Sequence, residues 1–226
     1  MIRLSILLLL LQAPLALAAP PDAGSRPRVA VLYFEGLTSD VELQNFSKGL
    51  ASLLISDLVA TDKLMVIERE RLESVMAELK LGETRFADKS SFAKVGKLLG
   101  ADYLLVGSLV GAGSQVMITA RVVIPETGAT VGQAKVRLDP ADVFGAEEKV
   151  AGIVTEQLVK LGSLAVAPEL PKKTHKLSLG TAVKYANALQ AKDSKDKVAA
   201  KKLLGEVVKE QPDFKLAQLD LLSLRD

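Results

Sequence analysis

The chain has no cysteine and no tryptophan, and His175 is its single histidine. Without cysteine there is no disulfide, no thiolate metal site and no thiol nucleophile. His175 lies among lysines with no acid or nucleophile beside it, so neither a catalytic triad nor a histidine-based metal site can be assembled. We therefore expect no metal, no cofactor and no enzymatic activity.

A strong charge of one sign is also missing. The 29 Lys and Arg residues are nearly balanced by 27 Asp and Glu residues, which gives a formal net charge of +2. The basic run over residues 192–202 is interleaved with acids and has no aromatic residue for base stacking. Both observations argue against nucleic acid as a partner.

Long hydrophobic runs are absent except at the start, where residues 1–18 read MIRLSILLLLLQAPLALA. The leucine-rich stretch followed by small residues predicts a secretory signal peptide cleaved after Ala18. It is too short for a membrane-spanning helix, which needs about 20 apolar residues. We expect a mature periplasmic chain with a flexible leader at 19–27, no membrane span and, without a cysteine, no lipid anchor.

The periodicity of the apolar residues then predicts alternating strands and helices. Asp40 is a suitable N-cap for the first helix, and Gly100 is a suitable C-terminal stop for the third. The predicted elements are strands at 28–36, 64–67 and 101–111 and helices at 41–61, 69–81 and 90–100, with a loop at 82–89.

From Gln115 the apolar residues alternate with period two. Two such runs, 115–123 and 129–138, flank the turn Pro125-Glu126-Thr127-Gly128 and predict a β-hairpin. A helix at 142–162 follows. The order of elements predicts an α/β domain with a mixed sheet over residues 28–162. The remaining ranges are a linker at 163–176 and a helical segment at 177–226.

The stretch GSLVGAGS at 107–114 raises the question of a phosphate-binding loop. A dinucleotide fingerprint needs a third glycine and a following helix, whose N-terminal amides bind the pyrophosphate. Here the third glycine is absent and a strand follows, which favours a simple turn between two strands. A nucleotide-binding loop over Gly107–Gly113 is the alternative.

The densest charge cluster is Glu68-Arg69-Glu70-Arg71, at the end of the second predicted strand. It is either an anion-binding or paired-carboxylate site, or the start of a helix with solvated side chains. We predict protein-partner contacts at residues of this cluster and of the helical segment: Glu68, Arg69, Arg71, Tyr185, Ala188, Leu189 and Lys192.

Four stretches carry a family resemblance in their order and spacing: VAVLYFEG, IERERLESVMAEL, FAKVGKLLGADYLLVGSL and VMITARVVIPETGATVGQAKV. Residues 28–162 resemble the CsgG/HfaB family of curli-type assembly and transport components, with FlgO-like and TolB-N-terminal-like periplasmic domains as relatives. The resemblance implies a periplasmic α/β sandwich similar to anticodon-binding domains. Pore-forming members form rings and insert long hairpins into the outer membrane. This chain has only a few residues between Ser108 and Val116, so we do not carry that function over.

The helical segment resembles a degenerate tetratricopeptide unit. The matching positions are Ala188, Ala200, Leu204, Val207 and Pro212. A single unit of this kind cannot bury both of its faces. It therefore either docks on the α/β domain or offers a groove to a partner.

The resemblance and the absent site chemistry together predict a non-enzymatic periplasmic accessory or assembly protein that binds envelope or secretion-system proteins. One alternative is a self-associating, ring-forming periplasmic subunit of an outer-membrane secretion channel. A third is a small-molecule or nucleotide-binding enzyme that uses the glycine stretch.

Overall fold

The computed structural model describes residues 26–79, 89–112, 115–173 and 175–224. The predicted signal peptide at 1–18 and most of the leader lie outside these residues, as do residues 80–81 of the predicted helix and residues 82–88 of the predicted loop. Lys89, the last residue of the predicted loop, instead begins a helix.

Within the described residues, six strands form one mixed sheet. Five of them are ordered β3-β1-β4-β5-β6, and β2 pairs with β4 in line with β1. Neighbours β3, β1 and β4 run parallel, whereas β4, β5 and β6 form an antiparallel meander. The strands are β1 (Arg28–Val31), β2 (Glu35–Leu37), β3 (Met65–Val66), β4 (Tyr103–Ala112), β5 (Gln115–Ile124) and β6 (Ala129–Leu138).

In the part of the chain that the structure describes, four helices belong to the α/β part and three follow it. The long helices α1 and α4 contact each other and pack on the sheet, α4 mainly on β6, while α3 packs against α2 and β4. The helices are α1 (Val41–Ala60), α2 (Arg69–Glu78), α3 (Lys89–Leu99), α4 (Val143–Lys160), α5 (Leu179–Asp193), α6 (Lys197–Glu210) and α7 (Lys215–Ser223). The predicted fold class, a mixed α/β sheet followed by C-terminal helices, is confirmed.

Local capping residues set several of these boundaries. The Asp40 carboxylate accepts hydrogen bonds from the amides of Glu42 and Leu43 at the start of α1. Gly100 ends α3 with φ +64°, a left-handed conformation that disfavours other residues. Both positions were predicted from sequence.

The predicted strand at 28–36 is two strands. Leu32, Tyr33 and Phe34 separate them, and all three side chains are buried. A regular strand points successive side chains to opposite faces of the sheet. Leu32 keeps one backbone hydrogen bond to the Leu105 carbonyl, at 2.9 Å. The break places the Phe34 ring directly against Gly107 of β4.

The C-terminal helices dock on the α/β part through α5, which packs along α1. Gly49 of α1 allows the close approach, because a Cβ there would lie 3.0 Å from the Ala186 Cβ. The buried apolar residues of both parts form one continuous cluster. Between α4 and α5 the described residues contain no helix or strand. The domain limits at 162 and 177 stay a prediction.

Candidate functional site

A concentration of paired charges lies where α1, α2 and α5 meet. We call it the junction cluster: Tyr33, Lys48, Arg69, Glu73 and Asp193. The ammonium group of Lys48 lies 3.3 Å from Asp193 and 3.4 Å from Glu73. Arg69 donates to the other oxygen of Asp193, and Tyr33 donates its hydroxyl hydrogen to Glu73. The cluster therefore joins the C-terminal helices to the α/β part through paired charges.

Burial and partners fix the protonation states of two members of the junction cluster. Burial and then the hydrogen bond to Glu73 raise the pKa of Tyr33 far above its ordinary value. Burial alone would lower the pKa of Arg69, but its hydrogen bond and charge interaction with Asp193 raise it overall. Tyr33 stays neutral and Arg69 stays charged near neutral pH, so neither is tuned for proton transfer there.

A second set of polar contacts continues outward from Arg69. Its guanidinium lies 3.3 Å from Glu70, whose carboxylate lies 3.8 Å from the Lys192 ammonium. Lys192 and the Tyr185 hydroxyl each donate to Asp220, both at 2.8 Å. Burial and Asp220 raise the pKa of Tyr185. These bonds tie α5 to α7 and α2.

The structure brings Arg69, Tyr185 and Lys192, three of the seven predicted partner-binding residues, into one network. Ala188 and Leu189 are buried in the shared apolar cluster. The remaining two are exposed: Glu68 precedes α2, and Arg71 donates to the Leu98 carbonyl at 3.4 Å. A partner-binding role for the seven residues stays a prediction.

A cavity of about 300 Å³ lies between α1, α4, the chain after α4 and the start of α7. The Lys173 ammonium reaches into it, donates to the buried Asp57 carboxylate and lies 4.9 Å from the centre of the Phe144 ring. Glu147 of α4 lies behind, with Oε2 3.9 Å from the same ammonium. We call Asp57, Glu147 and Lys173 the acid–lysine cluster.

Glu147 is the unusual member of the acid–lysine cluster because its side chain is fully buried. Burial and the charge of Asp57 raise the pKa of Glu147 well above its ordinary value, although Lys173 opposes the shift. A neutral acid beside a carboxylate is a pattern seen in some active sites. Here Glu147 does not line the cavity, so a molecule in the cavity would not reach its carboxyl group.

The family model described as "Curli production assembly/transport component CsgG" matches residues 10–139 of this chain. That range exceeds half of the chain. The chain belongs to the CsgG family.

The CsgG match begins earlier and ends earlier than the resemblance over residues 28–162, so it leaves out α4 and the C-terminal helices. A curated relative, "Putative adenylate cyclase 3" of Rhizobium meliloti, is 28% identical over 151 residues. The aligned region is 65% of this chain, which spans only 24% of that relative.

Solved structures similar to this CsgG family member include two bacterial proteins. The LpoB C-terminal domain from Escherichia coli is 16% identical, with 52% of this chain and 87% of that chain covered and a TM-score of 0.39. The PelC dodecamer from Paraburkholderia phytofirmans is 17% identical, with 60% and 91% covered and a TM-score of 0.36.

The glycine stretch lies at a pair of antiparallel strands. Gly107 and Gly111 belong to β4, which pairs antiparallel with β5; Gly113 and Ser114, between the two strands, lie outside the described residues. A Cβ on Gly107 would lie 2.3 Å from both Phe34 Cε1 and the Thr119 carbonyl oxygen. Packing therefore requires the glycine. Among the described residues the next element after β4 is strand β5, whereas a phosphate site would need the N-terminal amides of a helix.

Two further observations concern the described residues of this CsgG protein alone. They contain no group of three or more His, Asp or Glu side chains arranged to hold a metal ion. None of their helices is both long and apolar enough to cross a lipid bilayer.

Asp57, Glu147, Lys173 and Asp193 are residues that reasoning from the sequence missed. One signal was available for two of these residues. Asp57 interrupts the apolar face of α1 between Leu54 and Leu58, and Glu147 lies on the apolar face of α4. An acid on an apolar helix face indicates a buried carboxylate that needs a partner.

Proposed function

We propose that this chain is a non-enzymatic periplasmic accessory or assembly protein of the CsgG family that acts by binding envelope or secretion-system proteins. The observation that carries the proposal is the family match over residues 10–139. The family description names assembly and transport, which are tasks of binding and not of turnover.

The arrangement of the polar groups supports a binding role. In the junction cluster each buried charge has an opposite charge within hydrogen-bonding or ion-pair distance. In the acid–lysine cluster Lys173 pairs with Asp57. Such groups hold elements together in defined positions. A surface of fixed shape is what a protein-binding module needs.

The first experiment locates the chain and its partner in the native host. The full chain with a C-terminal tag is expressed at its natural level, cells are fractionated, and the periplasmic fraction is cross-linked before purification. We expect the tagged chain in the periplasmic fraction, shortened by 18 residues, with one envelope protein recovered at a fixed ratio. Recovery of the uncleaved chain in the cytoplasm would contradict the proposal.

The same purified chain distinguishes the alternatives. Light scattering during size-exclusion chromatography at high protein concentration gives its mass. A mass of many subunits would support the ring-forming alternative, whereas the mass of a monomer would count against it. Hydrolysis of nucleotides that disappears in Ser108→Ala, a change within the glycine stretch, with folding retained, would overturn the non-enzymatic assignment. Lys201→Gln, an exposed change on α6, is the matched control for that assay.

A further inference from the structure

Strand β6 is the edge of the sheet. It is ten residues long, and within the described residues its one strand neighbour is β5. One side of its backbone therefore presents amide and carbonyl groups without a strand partner. Such an edge is a template on which another extended segment can pair.

A groove runs along this edge. Consecutive residues of β6 form one wall, and a stripe of α4 at helical spacing forms the other. We call it the edge groove: Lys135, Val136, Arg137, Lys149, Gly152, Ile153 and Glu156. Gly152 contributes no side chain to the α4 side of the groove. A Cβ at this position would have one neighbour within 4 Å, Leu170 at 3.8 Å.

The two faces of β6 differ beside the edge groove. Ala134 and Val136 are buried on the face that α4 covers, whereas Lys135 and Arg137 are exposed on the other face. A strand added to β6 continues this alternation, because side chains of paired strands lie side by side on each face. Its residues would meet Ile153 and Val136 on one face and the two cations on the other.

The charge of the edge groove selects the partner. Lys135, Arg137 and Lys149 have no ion pair with any other described residue, and Glu156 is the single acid among the residues that line the groove. A second copy of β6 pairing antiparallel would bring like charges together, which is destabilising. Charged edge residues also discourage self-aggregation. Self-pairing is thus disfavoured, while an acidic segment fits.

We propose that the edge groove binds an extended segment of a partner protein in which acidic residues alternate with small aliphatic residues. The segment pairs with β6 as an additional strand, its carboxylates beside Lys135 and Arg137 and its aliphatic side chains against Val136 and Ile153. This proposal rests on the proposed function, since it names the surface through which partner binding takes place.

The probe is the blocked peptide Thr-Val-Glu-Val-Glu-Val-Thr, titrated into the full mature chain by calorimetry. We expect saturable binding that weakens as salt is added. The double variant Lys135→Glu/Arg137→Glu should bind at least about tenfold more weakly, since both cross-strand charge pairs become repulsive. A peptide with lysine in place of glutamate should bind this variant and not the wild type.

A matched control separates position from net charge. The double variant Lys201→Glu/Lys202→Glu changes the charge by the same amount at two exposed positions of α6, outside the edge groove. Its affinity for the acidic peptide should stay within about twofold of the wild type, because screening limits distant charges. Equal weakening by the two double variants would overturn the proposal.

Strand pairing needs its own test, since charge alone could attract the peptide. A peptide that is N-methylated on the amides facing β6 keeps its charges but cannot donate hydrogen bonds to the edge. It should fail to bind, and the parent peptide should slow amide hydrogen exchange in β6. Equal binding by the methylated peptide, or no added protection in β6, would overturn the proposal.

The failure of this proposal is distinguishable from that of the proposed function. If cross-linking recovers the same envelope protein with the wild type and with Lys135→Glu/Arg137→Glu, partner binding stands and the edge groove is not its site. If recovery is lost in this variant alone, the edge groove is the binding surface.

Discussion

Glu147 lies fully buried on the apolar face of α4, where the charges of Asp57 of α1 and Lys173 act on it. Each of the two acids is visible in the sequence as a break in an apolar helix face. Their pairing is not, because 90 residues separate them and only the packing of α1 on α4 brings them together. The sequence thus predicts that such acids need partners without saying which.

The raised pKa of Glu147 makes the stability of the protein depend on pH. The unfolded chain releases this proton near the ordinary value of 4.5, whereas the folded protein holds it to a higher pH. The stability that the proton brings is present at low pH and is lost as the pH rises from 4.5 towards the folded pKa.

Glu147→Gln removes this titration while keeping a neutral side chain of similar shape. We expect the variant to match the wild type near pH 5 and to exceed its free energy of unfolding at pH 8 by about 1 kcal/mol or more. Urea denaturation followed by circular dichroism from pH 5 to 8 measures the difference. A variant that is less stable than the wild type at pH 8 would show that Glu147 is ionised and needed as a charge.

At the scale of helices and strands, short-range sequence patterns predict most of the element boundaries. Contacts between residues far apart in the chain determine how the elements are arranged. The Asp40 cap and the Gly100 stop depend on neighbouring residues, so their patterns predicted them. The break after β1 depends on Phe34 packing against Gly107, more than seventy residues away in the chain. The bond between Arg69 and Asp193 spans 124 residues and gave no sequence signal.

The docking of α5 on α1 depends on Gly49. A side chain there would press on Ala186 and on the Ala182 carbonyl oxygen, at 3.0 and 3.4 Å from its Cβ. We expect Gly49→Leu to lower the free energy of unfolding by about 1–3 kcal/mol, as overpacking does elsewhere. Increased proteolysis in residues 163–177 at low temperature would report partial undocking of α5.

Gly205→Leu is the matched control, because nothing lies within 4 Å of a Cβ at that position of α6. Leucine has a higher helix propensity than glycine, so this variant should be unchanged or slightly more stable. If Gly49→Leu behaved like Gly205→Leu, the two helices would not be held in close contact.

At the scale of the whole molecule, the α/β part and the C-terminal helices share one apolar core. Leu177, Tyr185 and Leu189 are buried in the same cluster as Leu50 and Leu54 of α1. The sequence predicts an α/β domain, a proline-containing linker at 163–176 and a helical segment, and it leaves open whether that segment docks on the domain or offers a groove to a partner. Composition reports local flexibility, and it cannot report that a later helix packs back on α1.

A shared core predicts that the chain unfolds as one unit. Scanning calorimetry should show a single transition in which the calorimetric and van't Hoff enthalpies agree. Leu189→Ala, in the helical segment, should lower the midpoint of that whole transition, with a loss of about 2–5 kcal/mol for a buried leucine. If α5–α7 were an independent domain, the substitution would instead split off a minor transition at lower temperature and leave the main one in place. In that case the helices α5–α7 could unfold, or bind a partner, without changing the stability of the sheet.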